Sequence, residues 1–288
     1  MGTGKSTQNK FPSFAHSTTG CNQGKQVIAD FMKQKNPPIR ADFFARSVAF
    51  HKKYVKIIWG DTMYKYETHL HTAPVSRCAR AGVQESLEFY KKLGYDGVFI
   101  TNHFLDGNIN IEKEKPYEQK VQFYFSDYEK GVEIGKALGI KVFCGVEISF
   151  KGTDFLIYGL NKSWFLKHPE IMEMEKKEEL ALMMESGALI IQAHPFREGG
   201  HIDHIRLFPR SIHGVETVNS SRKEEENHMA KLYAAHYGLL EFAGSDNHRG
   251  AQKEKLAGLC CTTPVFSVED FIDQVRNRKT EIFTIENQ

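Results

Sequence analysis

From Tyr64 onward this chain alternates short apolar runs with helical patterns about seven times, and almost every run ends in a His, Asp or Glu. Apolar runs this continuous read as strands buried on both faces, which means a parallel sheet covered by helices. The strands are expected over 66–71, 98–101, 141–147, 155–158, 188–193, 214–218, 239–243 and 259–263. Between them lie the helical faces Val83/Leu87/Tyr90, Phe125/Tyr128/Val132, a Glu/Lys/Met-rich helix over 169–186, Met229/Leu232/Tyr233/His236, and Val268/Phe271/Ile272/Val275. About seven strand–helix units close most simply as a barrel, whose chemistry sits at the carboxyl ends of its strands.

Those ends are where the polar residues fall: His69 and His71, His103, Glu147, His194, Glu216, and Asp246 with His248. Side chains alternate along a strand, so His69 and His71 share a face about 7 Å apart, close enough to grip one ion. A chance pair of histidines would explain those two alone. It does not explain why the others gather at the same end. Imidazole and carboxylate together suit Zn, Mn or Fe. A carboxylate such as Glu147 can bridge two cations, which histidines cannot do. Two cations about 3.5–4 Å apart activate a shared water and clamp a phosphoryl group.

The motifs Thr68-His69-Leu70-His71-Thr72, Thr101-Asn102-His103, Gly145-Val146-Glu147, Ala193-His194-Pro195-Phe196 and Gly244-Ser245-Asp246-Asn247-His248 resemble the PHP superfamily of polymerase- and histidinol-phosphatase-type metal-dependent phosphoesterases. The resemblance runs over roughly residues 64–285, in the family's order. It implies a distorted (β/α)7 TIM-like barrel with two or three divalent ions (Zn, Mn or Fe) at its mouth. It also implies a first site of His69, His71, Glu147 and Asp246, a second of Glu147 and His194, and a third of His103 and His248. Glu147, Asp246 and His194 then form the catalytic centre.

Three positions depart from the family. Asp154 stands where a second-site histidine is usual, and an aspartate still binds a hard metal. Val75-Ser76-Arg77-Cys78 stands where a third-site histidine is usual. That leaves open a Cys78 thiolate on the metal or Arg77 on substrate. Asn102 replaces an aspartate, which removes an acceptor behind the ligands and leaves the ligands themselves intact.

Arg77, Arg197 and Arg249 flank the motifs and match a phosphate bidentately; Arg222 is a weaker fourth candidate. The expected activity is hydrolysis of a small phosphomonoester, histidinol-phosphatase-like or nucleotide, by a metal-bound hydroxide. One alternative is exonuclease-type phosphodiester cleavage on short nucleic acids, the only role left to nucleic acid. A net charge of +2 without interleaved aromatic and basic residues argues against it. An amidohydrolase-type deaminase also carries His-x-His on its first strand, but commonly bridges its metals through a modified lysine where this chain has Glu147. A catalytically inactive metal-binding module is the remaining alternative.

The five cysteines, Cys21, Cys78, Cys144, Cys260 and Cys261, are odd in number and irregularly spaced, as expected of reduced cytoplasmic thiols. No apolar run long enough to span a membrane and no secretory signal core is expected. Residues 1–60 are rich in Lys, Asn, Ser and Gln and read as an extension preceding a phosphoesterase domain over 61–288. Gly2-Thr3-Gly4-Lys5-Ser6-Thr7 lacks the strand and first glycine that a P-loop needs. Deletion up to about Trp59 is therefore expected to leave phosphatase activity largely intact; loss of soluble protein would show that the segment packs into the core.

Overall fold

The computed structural model describes residues 63–200 and 202–287, so the expected extension over 1–60 and Cys21 lie outside the described residues. The elements run β1 (Tyr64–Leu70), α1 (Val83–Lys92), β2 (Gly97–Ile100), α2 (Tyr117–Leu138), β3 (Lys141–Phe150), β4 (Thr153–Tyr158) and α3 (Lys162–Lys167). They continue with α4 (Lys176–Glu185), β5 (Leu189–Ala193), β6 (Gly214–Asn219), α5 (Glu224–Tyr237), β7 (Leu240–Gly244), β8 (Lys255–Cys261), α6 (Val268–Arg276) and β9 (Thr280–Glu286). None of the described helices is long and apolar enough to cross a membrane.

All the strands join one nearly closed, barrel-shaped sheet in the order β7-β6-β5-β4-β3-β2-β1-β8-β9. The seam is drawn together where the chain leaves β7. There the His71 amide donates to the Asn247 carbonyl at 3.0 Å, and the Asn247 amide donates to the His69 carbonyl at 3.2 Å. The Thr68 hydroxyl, on β1, donates to the Ala243 carbonyl of β7.

The strands are not all parallel. β1–β2–β3 and β5–β6–β7 are parallel sets, but β4 runs antiparallel to both of its neighbours. The reason lies in the link between β3 and β4, only Lys151 and Gly152, both at positive φ (49° and 84°). Two such residues form a tight hairpin, whereas a parallel return needs a crossover of a dozen residues or more. β8 is antiparallel to β1, and β9, which the apolar pattern does not announce, pairs antiparallel with β8.

Two helical expectations also change. The helix expected over 169–186 breaks into a 3-10 turn, Pro169–Met172, and α4, because Glu175 is extended (ψ 138°). On α5 the buried face is Ala230, Tyr233 and Ala234, while Met229 and Leu232 are 45% and 52% exposed. Tyr233 of the expected face is buried, with two alanines beside it that let α5 sit close on the sheet, while Met229 and Leu232 face outward.

Below the mouth the barrel is filled with aromatic rings. Phe271 of α6 lies 4.3 Å from Phe99 between centroids, and Phe99 packs edge-on at 5.3 Å against Tyr158. Phe242 adds a further ring 5.6 Å from Tyr158, and the Tyr158 hydroxyl donates to the Thr68 carbonyl at 2.7 Å. This apolar floor is a packed core with no pore. Phe271→Ala is expected to cost about 3–5 kcal/mol of stability, read by chemical denaturation. A loss below roughly 1 kcal/mol would show that α6 does not plug the barrel.

Candidate metal centre

Glu147 sits near the end of β3, 1% exposed, and is encircled by imidazoles. Its Oε1 lies 3.3 Å from His69 Nε2 and 3.7 Å from His194 Nε2. Its Oε2 lies 3.3 Å from His71 Nε2 and 2.7 Å from His103 Nδ1. Yet neither carboxylate oxygen, nor His103 Nδ1, makes a hydrogen bond of acceptable geometry. Side chains aimed at a common point have this arrangement: ligands about 2.0–2.2 Å from one ion stand roughly 3–3.5 Å apart. The buried, orphaned donor atoms and their nitrogen–oxygen chemistry fit divalent metal ions.

Asp246 closes the other side. Its Oδ1 is 3.5 Å from both His69 Nε2 and His71 Nε2 and 3.3 Å from His248 Nδ1, and its Oδ2 is 3.9 Å from His194. Asp154 stands at the start of β4. Because β4 is reversed, that start lies at the same end of the barrel as the carboxyl ends of its neighbours, paired with Ser149 and Ala193. Its Oδ2 lies 3.8 Å from His194 Nε2. The candidate ligand atoms fall into overlapping groups, each within 4.8 Å: His69/His71/Glu147, His69/His194/Asp246, Glu147/Asp154/His194, and His71/Cys78/His103/His248. All eight metal residues expected from the sequence therefore meet at one mouth. Cys78 joins them, half-buried.

Behind these side chains stands a set of polar residues that hold them. Glu216, fully buried on β6, contacts His69 Nδ1 at 2.8 Å through Oε1. Its Oε2 accepts from the His194 amide at 3.0 Å and the Asn219 side chain at 2.9 Å. His71 Nδ1 meets the Ser76 hydroxyl at 3.2 Å, and that hydroxyl donates to Asn102 Oδ1 at 2.8 Å. Asn102 Oδ1 also accepts from the Thr72 amide at 2.7 Å, so the asparagine keeps the acceptor it was expected to lack. Glu67 joins the seam: its Oε1 accepts from the amides of His69 and Ser245, each at 2.9 Å, and its Oε2 from the Tyr90 hydroxyl at 2.8 Å. Gly244 is required here, since a Cβ would lie 2.5 Å from His69 Cβ and 2.7 Å from Glu216 Oε1.

The electrostatics are those of a charge cluster compensating itself. Burial alone would raise the Glu147 carboxyl, but His103, His71 and His69 outweigh it and hold it well below the ordinary carboxylate range. Burial likewise opposes ionisation of Asp246, and His69, His248 and His194 reverse the effect. His69 is lifted against its burial by Glu216, Asp246 and Glu147, and His103 by Glu147 and Cys78. His71 goes the other way, lowered by burial and by His248. Cations bound at the mouth would take over the charge that protonated histidines carry in their absence.

The arginines divide. Arg249 lines a cavity of about 550 Å³ beside Asp246 and His248, together with Arg80, Arg222 and Lys253. None of these four forms an ion pair among the described residues. Arg197 instead binds Asp154 at 2.8 Å and the Gly152 carbonyl at 3.1 Å. Arg77 lines a separate cavity with Asn110, Glu112 and Lys115. Glu216, Ser76, Arg80 and Lys253 are roles that sequence reasoning did not assign; only Glu216, a carboxylate on an apolar strand, carried a signal.

No family model and no curated protein matches the sequence. Solved structures do. A two-domain protein from Bacteroides vulgatus containing a predicted PHP-like metal-dependent phosphoesterase superposes with a TM-score of 0.59 at 18% identity. The match covers 77% of this chain and 65% of that one, less than two thirds of its length. PsfC from Pseudomonas syringae superposes with a TM-score of 0.50 at 14% identity, over 78% of this chain and 92% of that one. The chain has the PHP-like fold that its motifs imply.

Glu216→Gln keeps the shape of the side chain but weakens its hold on His69 and the His194 amide. Metal affinity is expected to fall roughly 10- to 100-fold, measured by calorimetric titration, with the fold retained. An unchanged affinity would show that His69 needs no support from β6.

Proposed function

We propose that this chain, with its PHP-like fold, is a metal-dependent phosphoesterase acting on a small phosphomonoester. The observation that carries this reading is Glu147, a buried carboxylate whose two oxygens face four histidines and make no hydrogen bond. The named PHP-like phosphoesterase domain of the Bacteroides vulgatus neighbour supports the same class.

In this reading His69, His71, Asp246 and Glu147 would hold one ion, Glu147, His194 and Asp154 a second, and His103 with His248 a third. Divalent ions held there would supply Lewis-acid activation of water and neutralise charge on the phosphoryl oxygens. The chain's own residues do the rest. Arg249, Arg222, Arg80 and Lys253 give the adjacent cavity a positive lining that draws in and orients a phosphate, with arginine forks suited to two of its oxygens. Glu216 and Ser76 fix the imidazoles of His69 and His71, so the cluster need not reorganise as charge develops. Arg197, engaged by Asp154, tempers the negative charge of the second group. The cavity of about 550 Å³ has room for a nucleotide or a phosphorylated metabolite.

Purified protein, stripped by chelator and reloaded with Mn or Zn, is expected to release inorganic phosphate from an aryl phosphate and from members of a phosphomonoester panel. Glu147→Gln keeps size and shape but removes the charge that lets one side chain serve two ions. The metal pair should bind weakly and turnover should fall by at least about a thousandfold, with the fold intact. A folded Glu147→Gln protein that keeps its metals and near-normal turnover would overturn the assignment. Activity confined to labelled oligonucleotides would replace the monoester with a phosphodiester substrate.

A further inference from the structure

The four candidate groups at the mouth differ in chemistry. Three contain a carboxylate; the fourth, His71/Cys78/His103/His248, contains none and carries the cluster's one sulfur. Both ring nitrogens of His71 are engaged, Nε2 by Glu147 and Asp246 at 3.3 and 3.5 Å and Nδ1 by the Ser76 hydroxyl at 3.2 Å, whereas His103 and His248 meet those carboxylates through Nδ1 alone. Cys78, His103 and His248 remain, one thiol and two imidazoles converging from three parts of the chain. His103 Nδ1 lies 2.7 Å from Glu147 Oε2, which leaves its Nε2 for this group. Cys78 and His248 both line the basic cavity, so an ion among these three residues would have an open side facing it. Three protein ligands and one open position are the form of a catalytic zinc site.

Resting on the reading of this mouth as a metal centre, we infer that Cys78, His103 and His248 form a thiolate-bearing, zinc-selective site at the substrate-facing edge of the cluster. The remaining sites, built from imidazole and carboxylate, accept harder ions such as manganese. On binding, the Cys78 thiol gives its proton to water and a sulfur lone pair makes the bond to the ion; nothing is oxidised or reduced. Thiolate favours zinc and cobalt over manganese, whereas carboxylate does not discriminate in this way. One mouth would then hold two classes of site, and a mixture of metals would load it unequally.

The test is spectroscopic and does not depend on turnover. Chelator-stripped full-length protein is titrated anaerobically with Co(II), and separately loaded with zinc in excess manganese. Wild type is expected to show a near-ultraviolet sulfur-to-cobalt charge-transfer band that saturates at one equivalent, and to retain one tightly held zinc against manganese. Cys78→Ser should abolish the band and weaken that zinc by at least about a hundredfold, while the other equivalents stay. Cys78→His, which supplies nitrogen in place of sulfur, should recover the equivalent without the band and guards against a folding defect in the serine variant. Cobalt bound with no sulfur band, or a band that survives Cys78→Ser, would overturn the inference and leave the metal centre standing. No cobalt bound at all would overturn both.

Discussion

The structure depends on one arrangement: a carboxylate buried where no neutral partner satisfies it. Leaving an ionised group unpaired in a protein interior costs several kcal/mol, so Glu147 can be where it is only if positive charge surrounds it. Four imbalances accompany that side chain, set by burial and by the charges the cluster's members impose on one another. His69 and His103 are pushed toward their charged forms, His71 toward its neutral one, and Asp246 is held ionised beside them. A cluster of this kind gains little as a source of stability, because replacing it with apolar side chains would remove the desolvation cost altogether. Its persistence makes sense as a receptacle for cations.

Holding that receptacle together falls to carboxylates that face away from it. Glu67 ties β1 to the turn after β7, and Glu216 ties β6 to His69 and to the amide of His194. Both are fully buried, and each accepts at least one backbone amide from outside its own strand, Glu67 from Ser245 and Glu216 from His194. The close approach of β7 to β1 needs Gly244, whose missing side chain leaves the space that His69 and Glu216 occupy. Barrel closure and site geometry are therefore one problem, solved at one seam.

Much of this could be read from residues, and the unread part has a physical pattern. Strand ends such as His69/His71, His194 and Asp246/His248 were legible because apolar runs stop abruptly at them. The reversal of β4 was half-legible: the strands expected over 141–147 and 155–158 leave little chain between them, but the direction follows from a link of two residues, which periodicity does not weigh. β9 escaped because its exposure alternates at the sheet edge and it carries no motif. The buried face of α5 was read only in Tyr233, because alanines, which have weak hydrophobic signals, share that face while Met229 and Leu232 do not. Arg197 and Arg77 lie near motifs in sequence, but a neighbouring carboxylate holds one and a separate cavity takes the other. Sequence adjacency to a ligand does not fix where so long a side chain ends.

Two of the candidate ligands also sit in backbone that an L-residue rarely adopts: His194 at φ 27° and Asp246 at φ 50°. Each such residue costs of order 1–3 kcal/mol, and it persists only where its surroundings over-determine it. His194 follows directly on β5 and Asp246 lies two residues past the end of β7, where the chain must turn out of the sheet while its side chain turns back over the mouth. For His194 the constraint is visible, since Glu216 binds its amide from below while Glu147 and Asp154 face its ring from above. For Asp246 it is the Ser221 hydroxyl on its carbonyl and four imidazoles around its carboxylate. Strain placed at these two positions lets β5 and β7, which the intervening β6 separates, aim their terminal side chains at one point. Relaxing either residue to an ordinary extended conformation would carry its ligand atom away from Glu147, so the strain is part of what makes the mouth a single centre.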